Sequence, residues 1–458
     1  MKTKIRSRVV VTGMGVVTSI GNDVPSFWSA CLAGKSRVET IPENWRKFYE
    51  STSRVWSPLA LPDFLKRGLG RSDLLVQDPV SLIAIAAADE AIASSGISSD
   101  VGDATVGTCR LDGVDGNRCG VFIGTGLGGA KSPFNNYATH ILKRLHPHLQ
   151  NLFDSRCAAN GPVDEILELL QYLEAHPRVN PLVICQTMPN ASSALLAIRY
   201  GVHGSSDTFC YACASGTVAI GRAYEAIQRG QIDVAIAGGT EYLGDYAGAV
   251  FMGFDKLQTL AKPYASLGQE NRPFDKDRSG FLFAEGGAGI LILESLQHAI
   301  RRGAEPIAEI SGFSMSSDAH SLVTISSDTT RIGVMLQELL SCAGITANNI
   351  DYINAHGTGT KVNDEVEATI ISKLFGRDVL VNSTKSLLGH TIGASGAIEC
   401  IVSALTINTG RVHPNRNLYS PIGELNFPKE MTSAGVRRAI SQNFGFGGHN
   451  AALLLSKI

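Results

Sequence analysis

The chain has 458 residues, of which 44% are apolar and only 18% are charged, so it can bury a large core. Its formal net charge of −2 and the absence of a basic run argue against nucleic acid as the main partner, because phosphate binding needs clustered Lys and Arg. Nine scattered cysteines, no signal-peptide-like apolar region and no apolar run of about 18 residues lead us to expect a cytoplasmic protein without a membrane span.

Short β-branched segments bounded by glycine predict buried strands, and helical periods fall between them. The predicted strands are Arg8–Thr12, Gly120–Gly124, Asp207–Ala212, Val234–Gly238, Gly289–Leu293, Ala308–Phe313, Tyr352–Ala355, Val379–Ser383 and Ala451–Leu455. The clearest predicted helices are Pro79–Ser94, Thr217–Arg229, Asp364–Phe375 and Ala394–Thr409. This alternation predicts an α/β fold with a mainly parallel sheet covered on both faces.

Two features divide the chain. The stretch Gly303–Pro306 follows a helical pattern and precedes a predicted strand, which predicts one lobe over residues 1–303 and another over 304–458. Residues 130–181 are rich in His, Asn and charged side chains, with a clear amphipathic pattern only over Val163–Glu174. We interpret them as an insertion, either a plain solvated one or an elaboration at a subunit contact.

Cys213 lies where a predicted strand passes into a predicted helix. The free amides and the positive dipole end of that helix would lower the thiol pKa, so this cysteine is a candidate nucleophile. Taken alone, a cysteine is more often a buried structural residue. Cys210 and Cys213 also form a Cys-x-x-Cys pair, but no second pair accompanies it, so a redox or metal role is the weaker alternative.

Two histidines lie in segments that follow predicted strands and contain glycine together with Ser or Thr. His356 lies within Asn354–Thr360, and His390 ends Ser383–His390. Open α/β sheets bind ligands at the carboxyl ends of their strands. An imidazole can transfer a proton near neutral pH, and its Nε2–H can donate to an oxyanion. The pair is therefore expected to serve Cys213 at the seam between the lobes.

Metal ligation is the rival role for these histidines. The nearest acids in sequence are Asp364, Glu365 and Glu367, which fall in the first turn of a predicted helix and would complement its dipole there. We therefore predict no metal.

Lys385 lies in a largely apolar stretch and needs a carboxylate partner if it is buried. Glu399 lies on the apolar helix Ala394–Thr409, where an unpaired charge would be costly. A Lys385–Glu399 ion pair would solve both problems, and a solvent-facing Lys385 is the alternative.

Two glycine-rich segments resemble nucleotide loops but lack their context. Gly124–Gly129 fits Gly-x-Gly-x-x-Gly without the helix, strand and acid of a dinucleotide site, so a close-packed turn is preferred. Asn443–Asn450 lacks the Lys-Ser/Thr ending of a P-loop. Its glycines would let backbone amides approach a reacting carbonyl, with Phe444 as an apolar gate.

These residues occur together with further motifs in a fixed order, and the chain resembles the β-ketoacyl-acyl carrier protein synthases of the elongating, two-histidine type. The further motifs are Arg8–Gly15, Asn271–Gly280, Ala284–Gly286, Gly393–Ala397 and the final Gly-Phe-Gly-Gly. The resemblance implies the thiolase fold, in which two similar βαβαβαββ halves form five α-β-α-β-α layers. It also implies a homodimer and substrates carried on the phosphopantetheine of acyl carrier protein, without another cofactor.

The resemblance also implies a role for each site residue. Cys213 would carry the acyl group, while His356 and His390 would promote decarboxylation of malonyl-acyl carrier protein and stabilise the enolate. The amides of Cys213 and Phe444 would form the oxyanion hole. The remaining implied roles are electrostatic orientation by Lys385 and Glu399, phosphopantetheine binding by Thr358 and Thr360, and acyl-substrate contact by Phe446 and Pro133.

Three alternatives stay open from the sequence. The reaction could belong to fatty acid, polyene or polyketide synthesis, since Pro133 and the insertion depart from housekeeping enzymes. The chain could be a partner-dependent or non-catalytic subunit of a heterodimer with a paralogue, although Cys213 is present. A thioester hydrolase that uses Cys213 and a histidine would release free acid instead of forming a carbon–carbon bond.

Overall fold

The computed structural model of the protein describes residues 7–66, 69–70, 74, 77–101, 109–158, 167, 170–171 and 180–458. The strands are β1 (Val9–Val17), β2 (Glu39–Thr40), β3 (Val55–Ser57), β4 (Ser99–Val101), β5 (Cys109–Leu111), β6 (Cys119–Gly124), β7 (Ser206–Phe209), β8 (Val234–Tyr242), β9 (Phe283–Ala284), β10 (Gly286–Ser295), β11 (Ala308–Ser317), β12 (Tyr352–Asn354), β13 (Leu380–Asn382), β14 (Arg411–Val412), β15 (Thr432–Ser433), β16 (Arg438–Gly445) and β17 (His449–Ser456).

The helices of the described residues vary from one turn to eight turns in length. They are α1 (Val24–Leu32), α2 (Glu43–Phe48), α3 (Pro79–Ser94), α4 (Lys131–Ala158), α5 (Val183–Thr187), α6 (Ala191–Tyr200), α7 (Ser215–Gln228), α8 (Ala249–Lys256), α9 (Leu296–Arg301), α10 (Thr330–Cys342), α11 (Lys361–Phe375), α12 (Lys385–Leu388) and α13 (Ser395–Thr409). Short 3-10 turns precede α7 and α13.

Ten strands form one sheet built from two halves with the same internal order. The sheet runs β13-β12-β16-β17-β11-β1-β10-β8-β6-β7. In the first half β7, β6 and β8 are parallel, while β10 and β1 are antiparallel additions. In the second half β13, β12 and β16 are parallel, while β17 and β11 are antiparallel additions. The halves join where β1 pairs with β11.

The expectation of a mainly parallel sheet was wrong. Four neighbouring pairs in the ten-stranded sheet are parallel, all among the three outer strands of each half, which helices connect, and the other five pairs are antiparallel. In each half one strand, β10 or β17, runs against the other four, and β16 and β17 are joined by a turn of only three residues, Phe446–Gly448. A tight turn of this kind can connect only antiparallel strands.

The two halves enclose a central layer of helices. One cluster of buried side chains joins α7 and α13 to strands of both halves, through residues such as Ile220, Ile401, Leu291 and Leu453. The outer face of the first half packs on α3, and that of the second half packs on α10 and α11. The layers are therefore α-β-α-β-α, and the predicted thiolase fold is confirmed.

The two central helices approach each other at the glycine in the second position of each. A Cβ atom on Gly396 of α13 would lie 2.1 Å from Thr217 Oγ1, and one on Gly216 of α7 would lie 2.8 Å from Ala397 N. Only glycine leaves room for this crossing. The close approach brings the amino ends of α7 and α13 together, and with them the residues just before each helix.

Each of the nine predicted strands overlaps an observed strand, and predicted helix Pro79–Ser94 has the bounds of α3. The prediction Asp207–Ala212 was too long, since β7 ends at Phe209 and Ala212 takes a left-handed φ of 48°. The sequence analysis missed β16, because buried polar residues interrupt its apolar run.

The insertion contains a long helix that the sequence analysis did not predict, α4, which begins at Lys131. Most of the predicted helix Val163–Glu174 lies outside the described residues. The chain passes from the first half of the sheet to the second between Arg301 and Ala308. The division into functional lobes at residue 303 stays a prediction.

One stretch of the described residues, Ile392–Thr409, is long and apolar enough to cross a membrane by composition. Within the protein 89% of it is buried, since it forms the central helix α13 and the turn before it. It packs as a core helix.

Candidate active site

Cys213 lies in the 3-10 turn Ala212–Ala214 between β7 and α7. The left-handed backbone of Ala212 redirects the chain there, at some cost in backbone strain. Ser215 Oγ closes the turn, because it accepts the Tyr211 N–H at 2.8 Å and donates to the Ala212 carbonyl at 2.6 Å. The thiol is held at the amino end of α7 with only 4% of the residue exposed.

The second half of the protein repeats this turn. Ile392 takes φ 47°, and the 3-10 turn Ile392–Ala394 precedes α13. The two turns read Ala-Cys-Ala-Ser-Gly and Ile-Gly-Ala-Ser-Gly, so Gly393 occupies the position that Cys213 has in the first half. Because α7 and α13 cross at their amino ends, the thiol meets residues that precede α13.

His390 contacts the thiol directly. Its Nε2 lies 3.0 Å from Cys213 Sγ, and its Nδ1 lies 3.0 Å from Ser395 Oγ. The Ile392 N–H donates to Nδ1 at 3.3 Å, which makes Nδ1 an acceptor and leaves the ring proton on Nε2. His390 can therefore donate its Nε2–H toward sulfur or toward a substrate oxygen beside it.

His356 stands next to His390, with ring centroids 5.5 Å apart and the planes nearly perpendicular. The segment is fixed by Glu367 on α11, which accepts the backbone N–H groups of His356 and Gly357, each at 2.7 Å. Asn443 on β16 donates from Nδ2 to His356 Nδ1 at 3.3 Å. In both histidines Nδ1 therefore accepts a hydrogen bond, the ring proton is on Nε2, and the surrounding hydrogen bonds hold the segment in place.

Lys385 and Glu399 form the predicted ion pair, with 2.6 Å between Nζ and Oε1, and both side chains are 2% exposed. Their contact is confirmed. Asn443 Nδ2 donates to Glu399 Oε2 at 2.7 Å and so connects the pair to His356. The sequence analysis did not identify Asn443, which accepts a 2.5 Å hydrogen bond from the Thr217 hydroxyl.

The electrostatics of the thiol differ from the expectation. Burial raises the pKa of Cys213 to about 12, while the Lys385 ammonium and the N–H groups of Phe446 and Cys213 act in the opposite direction. The predicted lowering by the helix terminus was wrong, because the enclosed sulfur loses more hydration than the helix end replaces. Burial and Lys385 hold the pKa values of His356 and His390 well below 6.5. The resting site contains a thiol and two neutral imidazoles.

The amide of Phe444, predicted to form the oxyanion hole together with that of Cys213, is not one of the two backbone amides that act on the thiol. The backbone N–H groups that reach Cys213 Sγ are those of Phe446 and of Cys213 itself. Phe444 is still part of β16, where it pairs with Asn450, and the strand ends only at Gly445. Phe444 nevertheless belongs to the site through its ring, whose centroid lies 5.7 Å from that of His356.

Cys213, both histidines and Phe444 line a cavity of about 560 Å³ that is open to solvent. Thr358 and Thr360 also line it, with their hydroxyl oxygens 2.9 Å apart, and Phe446 lines it beside Phe254. Phosphopantetheine binding by the two threonines stays a prediction. Two exposed cations also belong to the lining, Lys262 and Lys361. The cavity therefore connects the buried thiol with solvent.

Pro133 does not belong to this lining, and its contact with substrate stays a prediction. It lies in the first turn of α4, next to Ser132. The Ser132 amide and hydroxyl both donate to Asp78 Oδ2, which anchors this end of α4 at the start of α3.

The alternatives for the thiol and the histidines can be compared with the geometry. Cys210 is exposed while Cys213 is buried, and both are free thiols. The donor atoms of Cys213, His356 and His390 lie within 4.8 Å of one another, a spacing that a metal ion could also use.

Glu367 does not complement the dipole of α11 as predicted, because it lies beyond the first turn and binds backbone amides.

The sequence analysis also missed the partner of the glycine-rich turn after β6. Glu241, at the end of β8, accepts the N–H groups of Gly126 and Leu127 at 2.6 and 3.1 Å. The preferred reading of Gly124–Gly129 as a close-packed turn is confirmed, since a Cβ on Gly124 would lie 2.2 Å from Ser215 C. Glu241 itself was the available signal, because an acid three residues after the predicted buried strand Val234–Gly238 needs a partner.

Comparison with known families gives two adjoining matches. Residues 6–299 match the description "Beta-ketoacyl synthase, N-terminal domain", and residues 307–419 match "Beta-ketoacyl synthase, C-terminal domain". Cys213 lies in the first range, while His356, Lys385 and His390 lie in the second.

Among curated proteins, the chain is 32% identical to the chloroplastic 3-oxoacyl-[acyl-carrier-protein] synthase I of Arabidopsis thaliana, over 99% of this chain and 88% of that protein. It is also 32% identical to 3-oxoacyl-[acyl-carrier-protein] synthase 2 of Coxiella burnetii, over 99% of both chains.

Two solved structures are similar across the whole chain. One is a ketosynthase in complex with its type II PKS acyl-carrier protein, bound to the hexaketide, with a TM-score of 0.79, 25% identity and coverage of 99% of this chain and 100% of that chain. The other is a β-ketoacyl synthase from Burkholderia phymatum, with a TM-score of 0.79, 28% identity and the same coverage.

Proposed function

The chain belongs to the β-ketoacyl synthase family, and from that premise we propose that Cys213, His356 and His390 perform its reaction. The enzyme is a ketosynthase of the acyltransferase class, which condenses an acyl group with malonyl-acyl carrier protein to give a 3-oxoacyl-acyl carrier protein. What we propose is the role of each residue in the two steps of this reaction.

In the first step the Cys213 sulfur attacks the acyl thioester of the carrier. A bond forms between Sγ and the acyl carbon, the bond to the phosphopantetheine sulfur breaks, and the proton of the Cys213 thiol ends on the leaving sulfur. The N–H groups of Cys213 and Phe446 reach the sulfur and would bind the oxyanion of the tetrahedral intermediate. Each such donor typically contributes about 3 kcal/mol in the transition state.

In the second step malonyl-acyl carrier protein loses carbon dioxide. The electrons of the broken carbon–carbon bond form an enolate, whose oxygen would accept the Nε2–H groups of His356 and His390. The enolate carbon then attacks the Cys213 thioester, and the released thiolate takes up one proton from solvent. The depressed pKa values of both histidines favour neutral donors over imidazolium ions here.

The observation that carries the proposal is the contact between His390 Nε2 and Cys213 Sγ at 3.0 Å, with the His356 ring beside it. The test is mass spectrometry after incubation with acyl carrier proteins bearing chains of different length, followed by malonyl carrier protein. We expect an acyl adduct on Cys213 that converts to a carrier-bound 3-oxoacyl group two carbons longer. An adduct released as free acid would favour a hydrolase and contradict the proposal.

The partner in this proposal is acyl carrier protein. Lys262 and Lys361 line the cavity and are exposed, which suits the phosphate of a phosphopantetheine arm, and Thr358 and Thr360 line the passage inward. A solved relative is a ketosynthase held by its acyl-carrier protein. We propose that no metal or redox cofactor takes part, since the two steps above balance without one.

Assembly and location are further parts of the proposal. β7 is the outermost strand of the first half, it pairs only with β6 among the described strands, and its first two residues are exposed. Such an open edge favours pairing with another chain. We propose a dimer in the cytoplasm, and native mass spectrometry would distinguish an identical partner from a paralogous one.

A further inference from the structure

Glu241 is a buried carboxylate beside the acyl-accepting thiol that the steps above do not use. It lies one residue before the end of β8 and is 0% exposed. Four groups donate to it: the N–H groups of Gly126, Leu127 and Gly393 at 2.6, 3.1 and 3.0 Å, and the Thr125 hydroxyl at 3.3 Å. All four donors are uncharged, so hydrogen bonds to neutral groups hold this carboxylate.

The sheet register explains how one side chain reaches these groups. β6 and β8 are parallel neighbours, and Gly124 at the end of β6 lies opposite Gly239. The chain after Gly124 therefore turns directly beside Glu241. On the other side of the carboxylate, the repeated turn before α13 presents Gly393 N–H in the position that Cys213 N–H has before α7.

The two turns that Glu241 joins form one side of the cavity. Gly126 and Leu127 line it from the first turn, and Ile392 lines it from the second. The turns are in close contact: a Cβ on Gly126 would lie 2.8 Å from Ile392 Cγ2, and one on Gly393 would lie 2.4 Å from Gly126 N. A small change in their separation would therefore change the space beside Cys213.

Leu127 adds a reason to connect this side with an apolar chain. Its side chain is large, apolar and 46% exposed, although it lies next to the buried thiol site. His356, Thr358 and Thr360 line the same cavity. The cavity thus combines polar groups that suit the pantetheine arm and malonyl group with apolar side chains, and we call the part of its lining at Leu127 and Ile392 the apolar side.

We propose that Glu241 is a positioning residue for the acyl chain: by binding Gly126, Leu127 and Gly393 together, its carboxylate sets the width of the apolar side of the cavity at Leu127 and Ile392. The inference rests on the proposed acyl transfer to Cys213. It adds the residue that makes this transfer depend on the length of the acyl group.

The test compares Glu241→Gln and Glu241→Asp with the unaltered enzyme. The Gln amide turns an N–H₂ group toward a backbone N–H, and the Asp carboxylate is too short to reach both turns. We expect kcat/KM for acylation of Cys213 to fall on the order of tenfold with long acyl carriers, as loss of one charged hydrogen bond would give, and to fall less with acetyl carrier. The fall is expected mainly in KM.

Malonyl decarboxylation supplies the second readout, measured with Cys213→Gln present so that no acyl group is needed. Adding Glu241→Gln to that variant should change the rate little, because Glu241 contacts neither histidine and is connected to His390 only through the turn whose Ile392 N–H donates to Nδ1. Glu285→Gln is the matched control. Glu285 is also a largely buried carboxylate, but it accepts from Leu59 N–H and the Tyr242 hydroxyl instead of from the cavity turns.

A merely structural role would slow acylation equally for every chain length and slow decarboxylation with it, and either result would overturn the proposal. If the Glu241 variants fail to fold, Thr125→Val removes one donor and should shift the chain-length profile in the same direction by a smaller factor. An unchanged profile in Thr125→Val would also count against it. Failure of the unaltered enzyme to acylate at all would instead refute the proposed function.

Discussion

The Nε2 atom of His390 lies 3.0 Å from the Sγ atom of Cys213, although the two residues are 177 positions apart. The contact follows from the fold, since Cys213 lies in the 3-10 turn before α7, His390 lies two residues before the 3-10 turn that precedes α13, and the two helices cross at their glycines. The sulfur nucleophile thus comes from one half of the protein and its hydrogen-bond donor from the other.

Replacing the nucleophile should separate the two half-reactions. In Cys213→Gln we expect no acyl-enzyme, while malonyl decarboxylation persists, because both histidines and the amide of Phe446 remain. Mass spectrometry measures the first and carbon dioxide release the second. Cys210→Ser is the matched control and should acylate normally; an acyl adduct that moves to Cys210 would contradict the choice of nucleophile.

The two histidines should differ in acylation and agree in decarboxylation. His390→Ala removes the donor at Sγ, so we expect slower acylation of Cys213 and a decarboxylation rate lower by about 100-fold to 1,000-fold, as for loss of one oxyanion donor. His356→Ala keeps the contact with sulfur and should slow decarboxylation alone. Stopped-flow acylation and carbon dioxide release measure the two rates. Equal acylation by both variants would remove the division of roles.

The central contact of the site was partly foreseeable from the sequence. Short glycine-bounded strands located Cys213, His356 and His390 at strand ends, and the cost of burying a lone charge predicted the Lys385–Glu399 pair. These inferences need only local sequence and the rules of burial. Parallel strands joined by helices bring such ends to one edge of a sheet.

Other features depend on where the chain turns, which the pattern does not give. Phe444 and Phe446 are both next to glycine, and only the end of β16 at Gly445 decides which amide is free to face sulfur. Glu241 lies 115 positions from Gly126, and its role is visible only once β6 and β8 are paired. The register between strands that are distant in sequence is set by the tertiary structure and cannot be predicted from a local sequence pattern.

Breaking the buried ion pair should destabilise the protein from either side. Lys385→Met leaves the Glu399 carboxylate buried without its cation, and Glu399→Gln leaves the ammonium alone, so each should cost about 3–5 kcal/mol of unfolding free energy. The double variant should recover part of that stability but not the activity. Urea denaturation followed by circular dichroism measures the loss. A loss under about 1 kcal/mol, typical of an exposed pair, would contradict burial of the pair.

The pH dependence of alkylation should reveal how the thiol is held. Because burial raises the pKa of Cys213 to about 12, the rate of reaction with iodoacetamide should still be rising with pH at pH 9. Lys385 lowers this pKa, so Lys385→Met should move the profile further to high pH. Peptide mass spectrometry at each pH measures the modified fraction. A rate that levels off below pH 7 would show a stable thiolate instead.

The same burial predicts how stability changes with pH. His356 and His390 have pKa values well below 6.5 in the folded protein, whereas in the unfolded chain they titrate near that value. Below about pH 6.5 the unfolded chain therefore binds protons that the folded site does not, and this contribution lowers the unfolding free energy as the pH falls. The double variant His356→Ala/His390→Ala should show a smaller fall between pH 7 and pH 5. An identical fall would mean that other groups determine it.

Charge reversal at the cavity rim should weaken carrier binding without changing the chemistry. Lys262 and Lys361 are exposed, so Lys262→Glu and Lys361→Glu should raise KM for acyl carrier protein several-fold with little change in kcat, and the effect should shrink as salt is added. Lys457→Glu, at an exposed position near the end of the chain, is the matched control. Acyl-phosphopantetheine without the protein carrier separates the contributions: if Lys262→Glu affects it as strongly as the full carrier, the lysine acts on the phosphate of the arm alone and not on the carrier's surface.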